Sequence, residues 1–189
     1  MPEHRSDHLF VITGGPGSGK TTLVDALAAR GMAHLPETGR AIILQQLATG
    51  GTALPWADRA AFAACMLEQD ILAHRAALPL SGPAICDRGV PDVPGYLTLC
   101  GLPVPAHMHQ AAERYRYNRT VFIAPYWPAI YTQDAERKQG PDEAAATCRV
   151  MAETYARFGY DPVILPLASV AERADFVRAR IASANGLSQ

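Results

Sequence analysis

Lysine is scarce in this chain. Lys20 and Lys138 are the only two among 17 basic residues, and arginine supplies the rest. Acidic residues number 18, so the formal charge is −1 with a pI near 6.6. That balance gives no long-range pull on nucleic acid or an acidic membrane, and neither is expected as a partner. Cysteine is sparse too. Cys65, Cys86, Cys100 and Cys148 form no C-x-x-C pair, which argues against a zinc knuckle or a dithiol motif and for free thiols in the cytoplasm. No uncharged apolar run is long enough to cross a bilayer, and the polar start MPEHRSDH leads into the first strand without a signal-type segment. His107 and His109 form an H-x-H, but alternate residues on a helix point in different directions, so surface or packing roles are expected rather than a metal site. With 189 residues, a single domain spanning 1–189 is expected.

What is present is a glycine-rich run. Gly14 to Thr22 read GGPGSGKTT, and Gly14, Gly19, Lys20 and Thr21 meet the full Walker A pattern. A loop that wraps a phosphate must turn its N–H groups inward, and residues without a Cβ adopt the required dihedrals most easily. Gly15, Gly17 and Gly19 serve that need, Pro16 stiffens the loop, and Ser18 and Thr22 complete it. Lys20 brings an ammonium to the outer phosphates, and Thr21 offers a hydroxyl to Mg²⁺. The flanks agree. His8 to Thr13 is a short apolar run suited to a buried parallel strand, and Thr21 to Arg30 reads as a helix stopped by Gly31. Strand, loop and helix N-terminus thus come in the order an anion site requires.

Further along, 32–36, 83–87, 119–124 and 161–166 read as strands. Helical patterns cover 41–47, a long segment after Asp58, 93–100, 105–117, 142–158 and 170–184. In the long segment Ala63, Leu67, Ile71, His74 and Leu78 make a stripe read as core. Strands alternating with helices imply a mainly parallel sheet covered on both faces.

In such a sheet ligands lie at the carboxyl ends of the strands. Asp87 ends an apolar strand, where a carboxylate can hold Mg²⁺ or take a proton from an attacking hydroxyl; a helix cap or an ion pair with Arg88 would use the same position. Arg88 suits an acceptor because its planar guanidinium grips two oxygens at once, and Asp92 could help orient that acceptor. Glu37 and Arg40 follow the second strand, where they could bind a hydroxyl-bearing substrate or simply open a helix. The polar stretch Tyr131 to Gly140 carries Arg137 and Lys138. A lid over about 127–141 would bring both cations to a migrating phosphoryl group on closing, while a solvated helix would use the same residues.

Taken together, GGPGSGKTT, PETGR after the second strand, CDRG after the third and TQDAERKQ after the fourth resemble the P-loop kinase-like ATPases related to nicotinamide riboside kinase, often described as AAA-family ATPases. The likeness runs from about His8 to about Ile181. It implies a P-loop NTPase fold of the nucleoside and nucleotide kinase type, with a five-stranded, mainly parallel sheet, helices on both faces and a lid. It also implies ATP with Mg²⁺ and a small nucleoside-like acceptor. By the same resemblance Lys20 and Thr21 serve phosphates and metal, Asp87 is the base or metal-linked acid, Arg88 holds the acceptor, and Arg137 with Lys138 belongs to the lid. The adenylyltransferase half of some bifunctional nicotinamide enzymes is missing, so that second reaction is not expected. Nor is there room for the helical lid domain of AAA machines, and a monomer or dimer is expected rather than a hexameric motor.

Two functions fit these residues. One is an ATP-dependent kinase of a small nucleoside-like metabolite; the other is a nucleotide-dependent switch or slow NTPase with a macromolecular partner. The chain has no N-K-x-D guanine signature, which favours ATP over GTP.

Overall fold

The computed structural model describes residues 6–130 and 140–184. Among the described residues five strands and seven helices follow in the order β1 (Leu9–Gly14), α1 (Lys20–Ala28), β2 (Ala33–Leu35), α2 (Thr38–Thr49), α3 (Arg59–Ala77), β3 (Ala84–Asp87), α4 (Asp92–Leu99), α5 (Ala106–Arg114), β4 (Thr120–Ala124), α6 (Pro141–Arg157), β5 (Asp161–Ile164) and α7 (Val170–Ala184). The strands form one sheet in the order β2-β3-β1-β4-β5. Every pairing is parallel.

Period-two alternation in β1 sends side chains to two separate cores. Leu9 and Val11 join a cluster with Ala63 and Leu67 of α3, Val93 and Leu97 of α4, Met108 of α5 and Tyr155 of α6. Phe10 and Ile12 face the other way, onto Leu23 and Leu27 of α1 and Val177 and Ile181 of α7. All six residues of β1 are buried, as a central strand requires. Burial of each large apolar side chain in these layers stabilises the fold by about 1.5–3 kcal/mol.

This arrangement positions the site. β1 hands the chain to α1 on one face, whereas β3 and β4 on either side hand it to α4 and α6 on the other. The carboxyl ends of adjacent strands therefore open onto a crevice between diverging connections, where α/β sheets bind ligands.

Two helices depart from the sequence expectation. α2 begins at Thr38 rather than Ala41, because Glu37 is already its extended N-cap residue. α5 stops at Arg114 rather than Tyr117, because the next residues turn aside: the Tyr115 and Tyr117 rings pack edge-on against His74, and the Tyr115 hydroxyl accepts from Arg75 at 2.7 Å. His107 and His109 are exposed, with His109 lying against Phe158 and 3.4 Å from Glu113. Among the described residues no helix is long and apolar enough to cross a membrane, and the four cysteines are free.

Gly14 has a φ of 135°, and a β-carbon there would lie 2.2 Å from the Ala124 carbonyl oxygen. That oxygen belongs to a buried strand and cannot yield. Gly159 also has a positive φ but open space around it. Gly159→Ala should cost about 1 kcal/mol and Gly14→Ala more than about 3 kcal/mol in urea unfolding; equal costs would show that the contact with β4 is not what fixes the loop's entry.

Candidate active site at the carboxyl edge of the sheet

Between β1 and α1 the chain winds through Gly17 and Gly19, with φ values of 66° and 75°. Within the loop, Ser18 Oγ donates to the Gly15 carbonyl at 2.7 Å. Gly19 is the N-cap residue of α1 and provides no side-chain cap, and the helix has no acid in its first turn. No side chain caps its leading N–H groups, and a helix start of this kind suits an anion. Lys20 is only 4% exposed. Its ammonium folds back onto the loop, donating to the carbonyls of Gly15 at 2.8 Å and Gly14 at 3.2 Å. Thr21 and Thr22 are exposed on the wall of a cleft of about 440 Å³, closed on its other sides by Arg40, Trp127, Ile130, Ser169 and Arg173.

The end of β3 carries the opposite charge. Asp87 pairs in register with Ile12, one strand away from the loop. Its carboxyl is buried, and Oδ1 meets no protein donor. Burial raises its pKa, and the nearby Lys20 charge opposes that rise. Arg88 then takes a φ of 75°, a left-handed conformation that costs a non-glycine residue about 1–3 kcal/mol. Three contacts hold it there. Its N–H donates to the Ile12 carbonyl at 3.0 Å, Nε donates to Glu37 Oε1 at 3.1 Å, and Nη1 donates to Asp92 Oδ1 at 3.2 Å. Asp92 is 5% exposed and gathers further donors: the Gly89 N–H at 3.0 Å, the Tyr155 hydroxyl at 2.6 Å and the Thr13 hydroxyl. One carboxylate thereby ties β1, the turn after β3 and α6 to the arginine.

The structure sorts the residues singled out in the sequence into two places. The loop from Pro16 to Thr22 lines the larger cleft, and Arg40 joins it there rather than on the rim beside Glu37. Asp87 and Arg88 line a smaller pocket with Thr38, Asp70 and Tyr117, and Glu37 is fastened to Arg88. With Nε and Nη1 engaged by carboxylates, Arg88 fixes its neighbours Glu37 and Asp92. Arg137 and Lys138, with the lid expected around them, lie outside the described residues.

Three participants escaped the sequence reading. Tyr155 donates to Asp92 from the opposite end of the chain. Arg173 is 1% exposed and donates from Nη1 to the Ser18 carbonyl at 3.0 Å. Its signal was an arginine heading the apolar row 173, 177, 181 at helical spacing. Asp70 sits on the buried face of α3, four residues before His74, and accepts from Thr38 Oγ at 2.7 Å. Burial pushes Asp70 from 3.8 up to about 7, helped by the charges of Asp92 and Glu37 and opposed by the Thr38 bond and Arg88.

The chemistry of the donor set suits a magnesium nucleotide. Asp87 has a buried oxygen that no donor among the described residues meets, and Thr21 lines the cleft. Magnesium is commonly held by one or two protein groups, with phosphate oxygens and water completing its shell. Among the described residues no group of three or more His, Cys, Asp or Glu is placed to hold a metal ion by itself.

The folded chain binds the Asp70 proton more tightly than the unfolded chain. Between pH 3.8 and about 7 the native state therefore carries more protons, and this group's contribution to stability falls as pH rises through that window. Asp87, raised in the same direction, is common to both proteins in the comparison. From pH 5 to 8, Asp70→Asn should gain about 2–3 kcal/mol on the wild type, read from urea unfolding at each pH. A pH-independent gap would mean that Asp70 ionises normally.

Among known folds the arrangement has clear relatives. Deoxyadenosine kinase from M. mycoides superposes with a TM-score of 0.64 at 13% identity, covering 93% of this chain and 99% of that one. A NadR protein in complex with NR superposes at 0.66 and 18% identity, covering 96% of this chain but 52% of the NadR chain. Shikimate kinase from Acinetobacter baumannii superposes at 0.53 and 15% identity, covering 93% and 92%. At these identities the likeness is one of fold, that of the P-loop kinases. Among curated proteins none matches the chain. Residues 9–173 match the family described as an AAA domain, a span that begins at the first residue of β1 and ends at the buried arginine of α7, and the chain belongs to that family.

Proposed function

We propose that the chain is an ATP-dependent phosphotransferase whose acceptor is a small, hydroxyl-bearing, nucleoside-like metabolite. The observation that carries this reading is the pairing of a phosphate loop with a buried carboxylate, Asp87, whose Oδ1 no protein donor meets, on the next strand of the same sheet edge.

In this reading the N–H groups of Gly15 to Thr22, Pro16 excepted, hold the phosphates, and Lys20 turns from the Gly14 and Gly15 carbonyls towards them. Thr21 and Asp87 would hold Mg²⁺, which when bound neutralises phosphate charge. Asp87 also receives the proton of the acceptor hydroxyl, while Glu37, fixed by Arg88, orients that hydroxyl. Arg40 faces the nucleotide, and Arg137 and Lys138 are proposed as lid cations. Most of the rate then comes from positioning and charge stabilisation. A deoxyadenosine kinase and a NadR protein bound to NR among the structural neighbours support the acceptor class. The four free cysteines fit a cytoplasmic setting, and a single domain over 1–189 belongs to the same proposal.

The family match to an AAA domain favours a second reading, a nucleotide switch or slow ATPase with a macromolecular partner. Incubation with ATP, Mg²⁺ and a panel of nucleosides, read by mass spectrometry, separates the two. The phosphotransferase reading expects a phosphorylated acceptor; ADP and inorganic phosphate alone would favour the switch. Lys20→Ala should abolish turnover with an unchanged circular dichroism spectrum. Asp87→Asn should keep nucleotide binding and lower transfer by about 100-fold or more. Loss of folding in either variant would make the residue structural rather than chemical.

A further inference from the structure

Among the described residues no counter-charge reaches the buried Arg173. It stands in the first turn of α7, 1% exposed, and is one of the large side chains that the fold encloses fully. Nη1 reaches the Ser18 carbonyl at 3.0 Å, Nε meets no acceptor, and no described carboxylate pairs with the guanidinium. The acids nearest in sequence are turned elsewhere: Glu172 accepts from the N–H and hydroxyl of Ser169 at 2.9 and 2.6 Å, and Asp175 pairs with Arg30 at 2.6 Å. Burial lowers the pKa of Arg173. A guanidinium nevertheless stays protonated in proteins, so this one cannot escape by neutralising.

Its surroundings indicate where the missing anion belongs. Arg173 lines the same cleft as Gly17 to Thr22. A β-carbon on Gly19 would come 2.8 Å from its Nη1, so the guanidinium lies directly against the phosphate loop. Gly19 thus meets two demands at once: a left-handed backbone, and room for a cation brought from the far end of the chain.

We propose that Arg173 is a phosphate-binding residue whose counter-ion is the polyphosphate of the nucleotide held by the loop. This rests on the nucleotide reading of the cleft. α7 then contributes a second buried cation beside Lys20, and bound nucleotide ties α7 to the loop. An isolated buried charge is costly until its anion arrives, and replacing it by an apolar side chain of similar length relieves that cost.

A strut and a counter-charge seeker respond in opposite ways to Arg173→Met. Thermal unfolding without ligand, and calorimetric binding of Mg·ATP and of uncharged adenosine, should be measured on wild type, Arg173→Met and Arg173→Lys. The proposal expects a Tm in Arg173→Met no lower than wild type, ATP binding weakened about 10- to 100-fold, and adenosine binding unchanged. Arg173→Lys, which keeps the charge and loses the fork, should fall between. ATP affinity in Arg173→Met within about twofold of wild type overturns the inference while leaving the nucleotide reading intact. So does an Arg173→Met protein that is unfolded, or one that loses Tm and both ligands together, since Arg173 is then a strut. A folded wild type that binds no ATP overturns the nucleotide reading and this inference with it.

Discussion

Opposite charges are buried on two sides of one strand tip, and the site depends on keeping them apart. On the loop side lie Lys20 and Arg173, 4% and 1% exposed. On the β3 side Glu37, Asp70, Asp87 and Asp92 surround Arg88. Buried charge is tolerated only where partners are fixed, and the fold fixes them with backbone. Lys20 is held by loop carbonyls, Arg88 by a strained turn, and Asp92 by donors from three elements. In the proposed function a magnesium nucleotide would complete both halves, bringing anionic oxygens to the loop and a cation to the acids.

The strain at Arg88 has a clear purpose in this scheme. A left-handed residue directly after a strand swings the chain away from the sheet, so Gly89 and Asp92 can return towards the tip of β1. The Tyr117 hydroxyl accepts from Val90 N–H at 3.1 Å and backs the turn. Asp92 then locks the guanidinium, which in turn locks Glu37 at the cap of α2. Orientation is therefore passed along hydrogen bonds, from Tyr155 on α6 through Asp92 and Arg88 to Glu37.

Features set by local chemistry were legible in the sequence. The loop from Gly14 to Thr22 follows from glycine and lysine spacing, β1 from an apolar run, and Asp87 from its place at a strand end. α7 was read at its observed bounds, Val170–Ala184. Features that need distant partners were not legible. Nothing near Asp92 announces that Thr13 and Tyr155, 79 positions before and 63 after it, will donate to it. Arg40 was placed with Glu37 because the two are neighbours in sequence, yet a helical turn carries Arg40 to the other cleft. Asp70 lies beside the stripe of α3 expected as core, not in it, and shares its buried face only in the fold; Arg173 stands in a helix of ordinary composition. Fold similarity at 13–18% identity makes the same point: glycine turns and apolar alternation survive wide change, whereas the groups that choose a substrate need not.

The central claim is that the loop between β1 and α1 holds the phosphates of a magnesium-bound nucleotide. Titrating the folded protein with ATP in a calorimeter, with and without magnesium, tests it most directly. The account predicts saturable binding of one nucleotide per chain, in the micromolar range, that weakens when magnesium is withheld. A folded sample that takes up neither ATP nor GTP under either condition would contradict it.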